Sequence, residues 1–150
     1  MNDPTFGEME FDVFWNGHAS LDHFGGDLAI EIEAGNQGPT DKHRGVFTAL
    51  VEIQVNLKSQ IEEKVFEYYN SIRESYREAY DPDYVDQDVP IIEDSNKVWS
   101  LLNSFYIHIP EQEGNSWVVL LLWECSWDIE HGLGVKVIDG EVVDVGDHSI

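Results

Sequence analysis

Between Glu8 and Val13 polar and apolar residues alternate without a break (Glu8-Met9-Glu10-Phe11-Asp12-Val13), the period of a strand with one face in a core. Asn16-Gly17 interrupts the aromatic run that follows and reads as a bulge or tight turn. A second strand is expected over His18 to His23, with Gly25-Gly26 as the next turn. Leu28, Ile30 and Ile32 then alternate with Ala29, Glu31 and Glu33, predicting a third strand with one acidic face.

After a linker from Gly35 to Pro39 the period changes. Thr40 and Asp41 supply an N-cap and a first-turn acid. Val46, Leu50, Ile53, Leu57, Ile61, Val65, Tyr68, Ile72 and Tyr76 recur at steps of three or four, an apolar helical seam. One helix over 41–80 would be roughly 60 Å long at 1.5 Å per residue, longer than a compact domain of this size is wide. Two helices with a break near Asn56 are therefore expected.

Asp81-Pro82-Asp83 stops the helix, and an acidic loop runs to Val89-Pro90. Asp94 or Ser95 can cap a short helix through Leu102. Phe105 to Ile109 and Trp117 to Cys125 read as a hairpin around Glu111 to Asn115. The second of these strands is apolar on both faces, so it belongs in the middle of a sheet. Leu133 to Ile138 and Glu141 to Val145 flank Asp139-Gly140, the signature of a two-residue type I′ turn with both residues at positive φ. Strands, helices, strands is an α+β order: a mostly antiparallel sheet packed on a central helical segment, as one domain over 1–150.

Charge sharpens this picture. The net charge is −22 over 150 residues, and 24 of the 30 carboxylates lie outside residues 42–80, against two of the eight basic residues. The helical segment is balanced, and the acid sits on what precedes and follows it. Such a chain is a poor ligand for nucleic acid or anionic membrane, both polyanions, and a good one for a basic protein. With 42% hydrophobic and 12% aromatic residues it is not a disordered tail. A chain this long buries roughly 68–70% of its unfolded surface and needs neither metal nor disulfide to fold. Cys125 is the only cysteine and lies in an apolar run, so it reads as a buried small hydrophobe. Met1-Asn2-Asp3-Pro4 has neither the basic nor the apolar region of a secretory leader, and the longest apolar run, Trp117 to Trp123, is too short to span a bilayer. A cytoplasmic protein is expected.

Candidate chemistry concentrates in Trp127-Asp128-Ile129-Glu130-His131-Gly132-Leu133-Gly134-Val135. Asp128, Glu130 and His131 are the residue types of an acid–base pair or part of a metal site, but their spacing matches no zinc-protease or Cys/His set. The plainer reading is a corner between strands. There Gly132 and Gly134 take backbone conformations closed to other residues, Asp128 caps amides, and His131 fixes the turn. His18, His23, His43, His108 and His148 show no ligand spacing, and Ser126 is not in a nucleophile elbow. No cofactor, metal or catalytic residue is assigned.

Trp127 to Val135, followed by Asp139-Gly140 and Val145-Gly146, resembles a signature of uncharacterised small bacterial cytoplasmic proteins. Phe6-Gly7 to Phe11 and the helical pair Tyr68-Tyr69 resemble the opening and the central helix of those proteins. Some of them are toxin-immunity proteins by association, so the resemblance implies an immunity-type role and carries no catalytic residues. Three functions follow. The first is an inhibitor of a basic toxin domain, such as a nuclease. The second is a hydrolase using Asp128, Glu130 and His131. The third is an adaptor for a basic protein. The expected contact residues are Asp81, Asp83, Asp86 and Asp88 of the acidic loop, with Glu31 and Glu33 of the sheet as a second region. The loop is favoured because its carboxylates repel one another when free. Oligomeric state is left open.

Overall fold

A computed structural model describes residues 1–150. Its strands are β1 (Asn2–Asp3), β2 (Gly7–Glu8), β3 (Glu10–Asp12), β4 (Phe14–Leu21), β5 (Gly26–Ile32), β6 (Leu102–Ile109), β7 (Val118–Cys125), β8 (Leu133–Ile138) and β9 (Glu141–Gly146). Its α-helices are α1 (Asp41–Ala79) and the one-turn α2 (Val85–Asp88). Strands β3 to β9 form one seven-stranded sheet in sequence order, while β1 and β2 pair separately. All neighbours in the large sheet are antiparallel except β5 and β6, which run parallel because α1 carries the chain back between them. The α+β expectation is met: a mostly antiparallel sheet packs against one central helix.

The helix is single, which corrects the expected break near Asn56. Ile53, Leu57, Ile61 and Val65 keep their four-residue step straight through that point, so nothing in the seam calls for a bend. At 39 residues α1 is about 58 Å long, against about 29 Å for the width of seven strands. The excess is covered by the chain doubling back along it. Tyr69 donates to the Pro90 carbonyl at 2.6 Å, Arg77 to the Val89 carbonyl at 2.6 Å, and Trp99 Nε1 to Glu62 at 2.6 Å. The 3-10 helix Ser95–Leu101 stands where a short capped helix was expected, with Asp94 at its N-cap position.

The amino-terminal third departs most from expectation. Asn16-Gly17 is neither bulge nor turn but lies inside β4, paired with Glu31 and Ile30. Gly17 is needed for another reason: a Cβ there would sit 2.8 Å from the Phe6 carbonyl oxygen and 3.1 Å from Met9, where the amino-terminal segment crosses the strand. The chain reverses instead at Val13, which holds φ at 64°. Glu8 to Val13 is not one half-buried strand either. Glu8 ends β2, and β3 is an edge strand that leaves Phe11 and Val13 exposed. The second strand begins at Phe14 and ends at Leu21, so His23 falls in the 3-10 turn Asp22–Phe24.

The carboxy-terminal half follows its pattern. β6 and β7 are antiparallel partners, and β7 lies inside the sheet between β6 and β8. Asp139 and Gly140 join β8 to β9 with φ of 51° and 86°, as a type I′ turn requires. Asp139 also accepts the Trp117 N–H on Oδ1 at 2.9 Å, tying this turn to the start of β7.

Burial alternates along β4 and β5. Trp15, Gly17, Leu21, Leu28, Ile30 and Ile32 point to one side with Ile107, Ile109, Val119, Leu121, Val135 and Val137. These pack with Val46, Leu50, Leu57, Ile61, Val65 and Tyr69 of α1 in a single 27-residue apolar cluster. The helix end is pinned by a capping box. The Thr40 N–H donates to His43 Nδ1 at 3.0 Å, which fixes the ring proton on Nε2. No helix of the protein is long and apolar enough to cross a membrane.

Candidate functional site

Alternation also decides what the other side of the sheet presents. Register aligns Glu10, Asn16, Glu31, His108, Leu120, Lys136 and Asp144 in one row across all seven strands. A neighbouring row holds His18, Ala29, Tyr106, Leu122, Gly134 and Gly146. Asp12 and Phe14 lie on this side beyond the first row, and Asp27 and Glu124 lie on it beyond the second. Half of the sheet's side chains therefore face away from α1. Among them Lys136 is the only Lys or Arg, against Glu10, Asp12, Asp27, Glu31, Glu33, Glu124, Glu141 and Asp144.

His108 is the hub of this open face. Its Nδ1 lies 2.8 Å from Glu31 and its Nε2 3.2 Å from Glu33, and the Phe14 ring meets it edge-on with centroids 4.8 Å apart. Glu31 and Glu33 are thus organised as a pair by one imidazole, with Phe14 beside them. Sequence reasoning passed over His108. Its only signal is a polar residue on the acid-facing side of a strand, and that side is known only once β6 is paired in parallel with β5.

The acidic loop is differently built. Asp86 pairs with Arg77 at 2.9 Å, Asp88 accepts the Tyr80 hydroxyl at 2.7 Å, and Asp81 accepts the Asp83 N–H at 2.9 Å. The bond to Asp88 lifts the Tyr80 phenol to about 12. Two of the four carboxylates are therefore engaged, Asp86 by Arg77 of α1 and Asp88 by Tyr80 at its C-cap, and their mutual repulsion is partly offset in the unbound protein. Arg77 and Tyr80 sit on the last turn of the helix the loop follows, so the loop folds back onto its own stop.

The third region, Trp127 to Val135, is a strand corner. Trp127 is buried with its ring 4.8 Å from that of Tyr69. Asp128 accepts the Tyr76 hydroxyl on Oδ2 at 2.7 Å and contacts His131 Nδ1 through Oδ1 at 2.9 Å. The His131 N–H also points to Oδ1, at 3.2 Å. Burial of Asp128 works to raise its pKa, but the hydrogen bonds from Tyr76 and His131 outweigh it and hold the carboxyl low. The bond to Asp128 raises His131 in turn. Glu130 is exposed and forms no hydrogen bond or ion pair with either, reaching His131 only through its charge.

The two glycines of this corner serve different ends. Gly132 holds φ at 65°, and a Cβ there would strike His148 and come within 2.7 Å of the Trp123 carbonyl. Gly134 is ordinary strand, contrary to expectation. It is small because the tail crosses it, with the Asp147 carbonyl 2.6 Å and Ile150 3.1 Å from a built Cβ. His148 fastens that tail through Nε2 to the Trp123 carbonyl at 2.7 Å. Cys125 is buried beneath the corner and its thiol is pushed up to about 12 by desolvation, so it is inert.

Four surface hollows are present, and none is lined by Asp128, Glu130 or His131. Glu8, Glu10, Asn16 and His18 line one of about 430 Å³ at the β3–β4 end of the open face. Lys64, Glu67, Tyr68 and Ser71 of α1 line another, of about 380 Å³, with Val142 to Val145 of β9.

Neither the curated proteins nor the solved structures offer a match to this chain. A family model does, over residues 5–150, the whole span that contains the open face, the acidic loop and the glycine corner: the chain belongs to the family described as Domain of unknown function (DUF6985).

Proposed function

We propose that this protein is an immunity-type inhibitor, a cytoplasmic protein of bacterial origin that binds and neutralises a basic toxin domain, with a nuclease as the preferred target. The observation that carries the reading is the open face of the sheet, where Lys136 alone opposes eight carboxylates, two of them, Glu31 and Glu33, gathered at His108 beside Phe14. A nuclease must hold a polyanion, so its cleft is basic, and an acidic face with an aromatic centre is complementary to it. Glu31 and Glu33 are the centre of the contact. Asp83 and its neighbours in the loop form an outlying acidic region, already partly neutralised by Arg77.

The corner at Asp128 favours a second reading less strongly. A carboxylate holding an exposed histidine by Nδ1 is the arrangement of a general base, and it supports a hydrolase. Glu130 adds no hydrogen bond to the pair, and no hollow is lined by any of the three for a substrate. The same geometry serves as a structural latch between α1 and the corner.

The deciding experiment first asks whether a toxin is encoded beside this gene, then purifies the catalytic domain of that toxin and measures its activity with increasing amounts of this protein; no toxin gene there counts against the reading. Inhibition that saturates at a one-to-one ratio supports the reading. Full toxin activity at a large excess sinks it and leaves the adaptor. Turnover of a substrate that disappears in His131→Gln would establish the hydrolase.

A further inference from the structure

We infer that the outer edge of β9, with the ledge of α1 beside it, is a strand-addition site for an extended segment of a basic protein; only the charge of that segment rests on the function proposed above. β9 ends the seven-stranded sheet, so its outward N–H and C=O groups have no strand partner. The start of this edge shows what it accepts. Gln60 reaches from α1, donates Nε2–H to the Gly140 carbonyl at 3.0 Å and accepts the Val142 N–H on Oε1 at 3.1 Å. One side-chain amide thus takes the place that one peptide group of an eighth strand would occupy.

Beyond Val142 the helix supplies no such substitute. Val143 is the extra residue of a bulge, skipped where Val142 pairs with Val137 and Asp144 with Lys136, and it is 52% exposed although apolar; Asp144 to Gly146 continue the edge beyond it. Here α1 runs alongside and leaves the hollow of about 380 Å³ between Lys64, Glu67, Tyr68 and Ser71 and the strand. An added strand would bond to β9 and set alternate side chains into that hollow against Tyr68 and Val145. Its other side chains would lie on the open face, next to Asp144.

Charge selects the occupant. Glu141, Asp144 and Glu67 border the site, with Lys64 opposing them and the acidic open face continuing from Asp144. A second copy of this chain would bring β9 against β9 with a net charge of −22 on each side, which disfavours self-pairing. A strand alternating Lys or Arg with β-branched residues satisfies both the edge and the charge.

The test is an NMR titration of the whole ¹⁵N-labelled protein with a synthetic octapeptide of alternating Lys and Val. Two further versions are N-methylated on alternate residues, one for each edge of the strand, and a Glu/Val octapeptide serves as the charge control. The expected result is saturable shifts centred on Val143 to Gly146, with slowed hydrogen exchange there. One N-methylated version should bind at least about tenfold more weakly while the other binds normally, because only one edge docks. The Glu/Val peptide should not bind. Asp144→Lys, with the remote amide spectrum unchanged, should weaken the Lys/Val peptide. Equal binding of both N-methylated versions, shifts centred on Glu31 and His108, or no shifts at all would overturn the inference. A dimer joined through β9 would assign the edge to a second copy and overturn it as well. Peptide bound at β9 by a protein that fails to neutralise the toxin would sink the immunity reading alone. Neutralisation without peptide binding would sink the strand-addition site alone.

Discussion

Tyr76, near the end of α1, donates its hydroxyl to Asp128 at 2.7 Å across 52 residues of sequence, and the same carboxylate holds His131. Asp128→Ala removes the acceptor from both and should cost about 1–3 kcal/mol in urea unfolding. His131→Gln should leave the fold intact, because His131 is exposed and Gln still offers a donor. The pH dependence has two sides. Asp128 is lower folded than unfolded, so its support is present above the unfolded carboxylate value and lost as pH falls through the folded one. His131 is higher folded than unfolded, so its support is present below the unfolded value and lost as pH rises through the folded one. The latch is therefore strongest between about pH 4 and 6.5. Proton NMR of the His131 ring should show it titrating above that upper value, and Asp128→Asn should bring it down.

Gly132 and Gly134 should separate under a double test. Gly132→Ala and Gly134→Ala each destabilise, by about 1–3 kcal/mol. Deleting residues 147–150 removes the atoms that obstruct Gly134, so it should rescue Gly134→Ala. It should not rescue Gly132→Ala, where φ is 65° and the Trp123 carbonyl stays in place. Thermal melts of the four proteins check this.

Val13 is β-branched at φ 64° on an exposed turn. Val13→Asn should stabilise the protein by about 1 kcal/mol, since Asn tolerates this region and the valine side chain contributes little packing. Equal or lower stability in urea would show that the strain is relieved by some other contact.

For a basic partner, the triple change Glu10→Lys, Asp12→Lys, Asp27→Lys moves the net charge from −22 to −16, two units for each of three sites. All three residues are exposed, so the fold should hold. Stopped-flow association with the toxin domain should slow about tenfold at low salt and lose most of its salt dependence. Dissociation should change less, because packed contacts at the centre control it. Asp83→Lys should preserve stability, whereas reversing Asp86 and Asp88 should lower it by stranding Arg77 and Tyr80.

Local chemistry was the legible part of this chain. Asp139-Gly140 announces its turn because type I′ geometry needs residues that tolerate positive φ. The apolar seam of α1 is explicit from Val46 to Tyr76. What stayed hidden depends on contacts distant in sequence. Gly17 looks like a turn residue until Phe6 is seen crossing it, and Gly134 looks like a φ residue until the tail is placed. The break expected at Asn56 came from treating the domain as a sphere, while residues 81–101 return along the helix and extend the same apolar cluster over its second half with Val89, Val98 and Leu101. The pairing of Glu31 and Glu33 through His108 needs the one parallel register in the sheet, which no periodicity reports.

That parallel register also sets an order of events in synthesis. Glu31 and His108 are 77 residues apart, so β5 cannot acquire its second neighbour until the whole of α1 and the segment after it have been translated. At an elongation rate of about 5–20 residues per second, the unpaired side of β5 waits several seconds at the ribosome. Closing so large a loop gives the chain a high contact order, and the slow step of refolding should be the joining of the amino-terminal three-stranded unit to the carboxy-terminal four-stranded one. Asp27, Glu31 and Glu33 lie on and beside β5, and like charge along a waiting edge disfavours its pairing with a second copy.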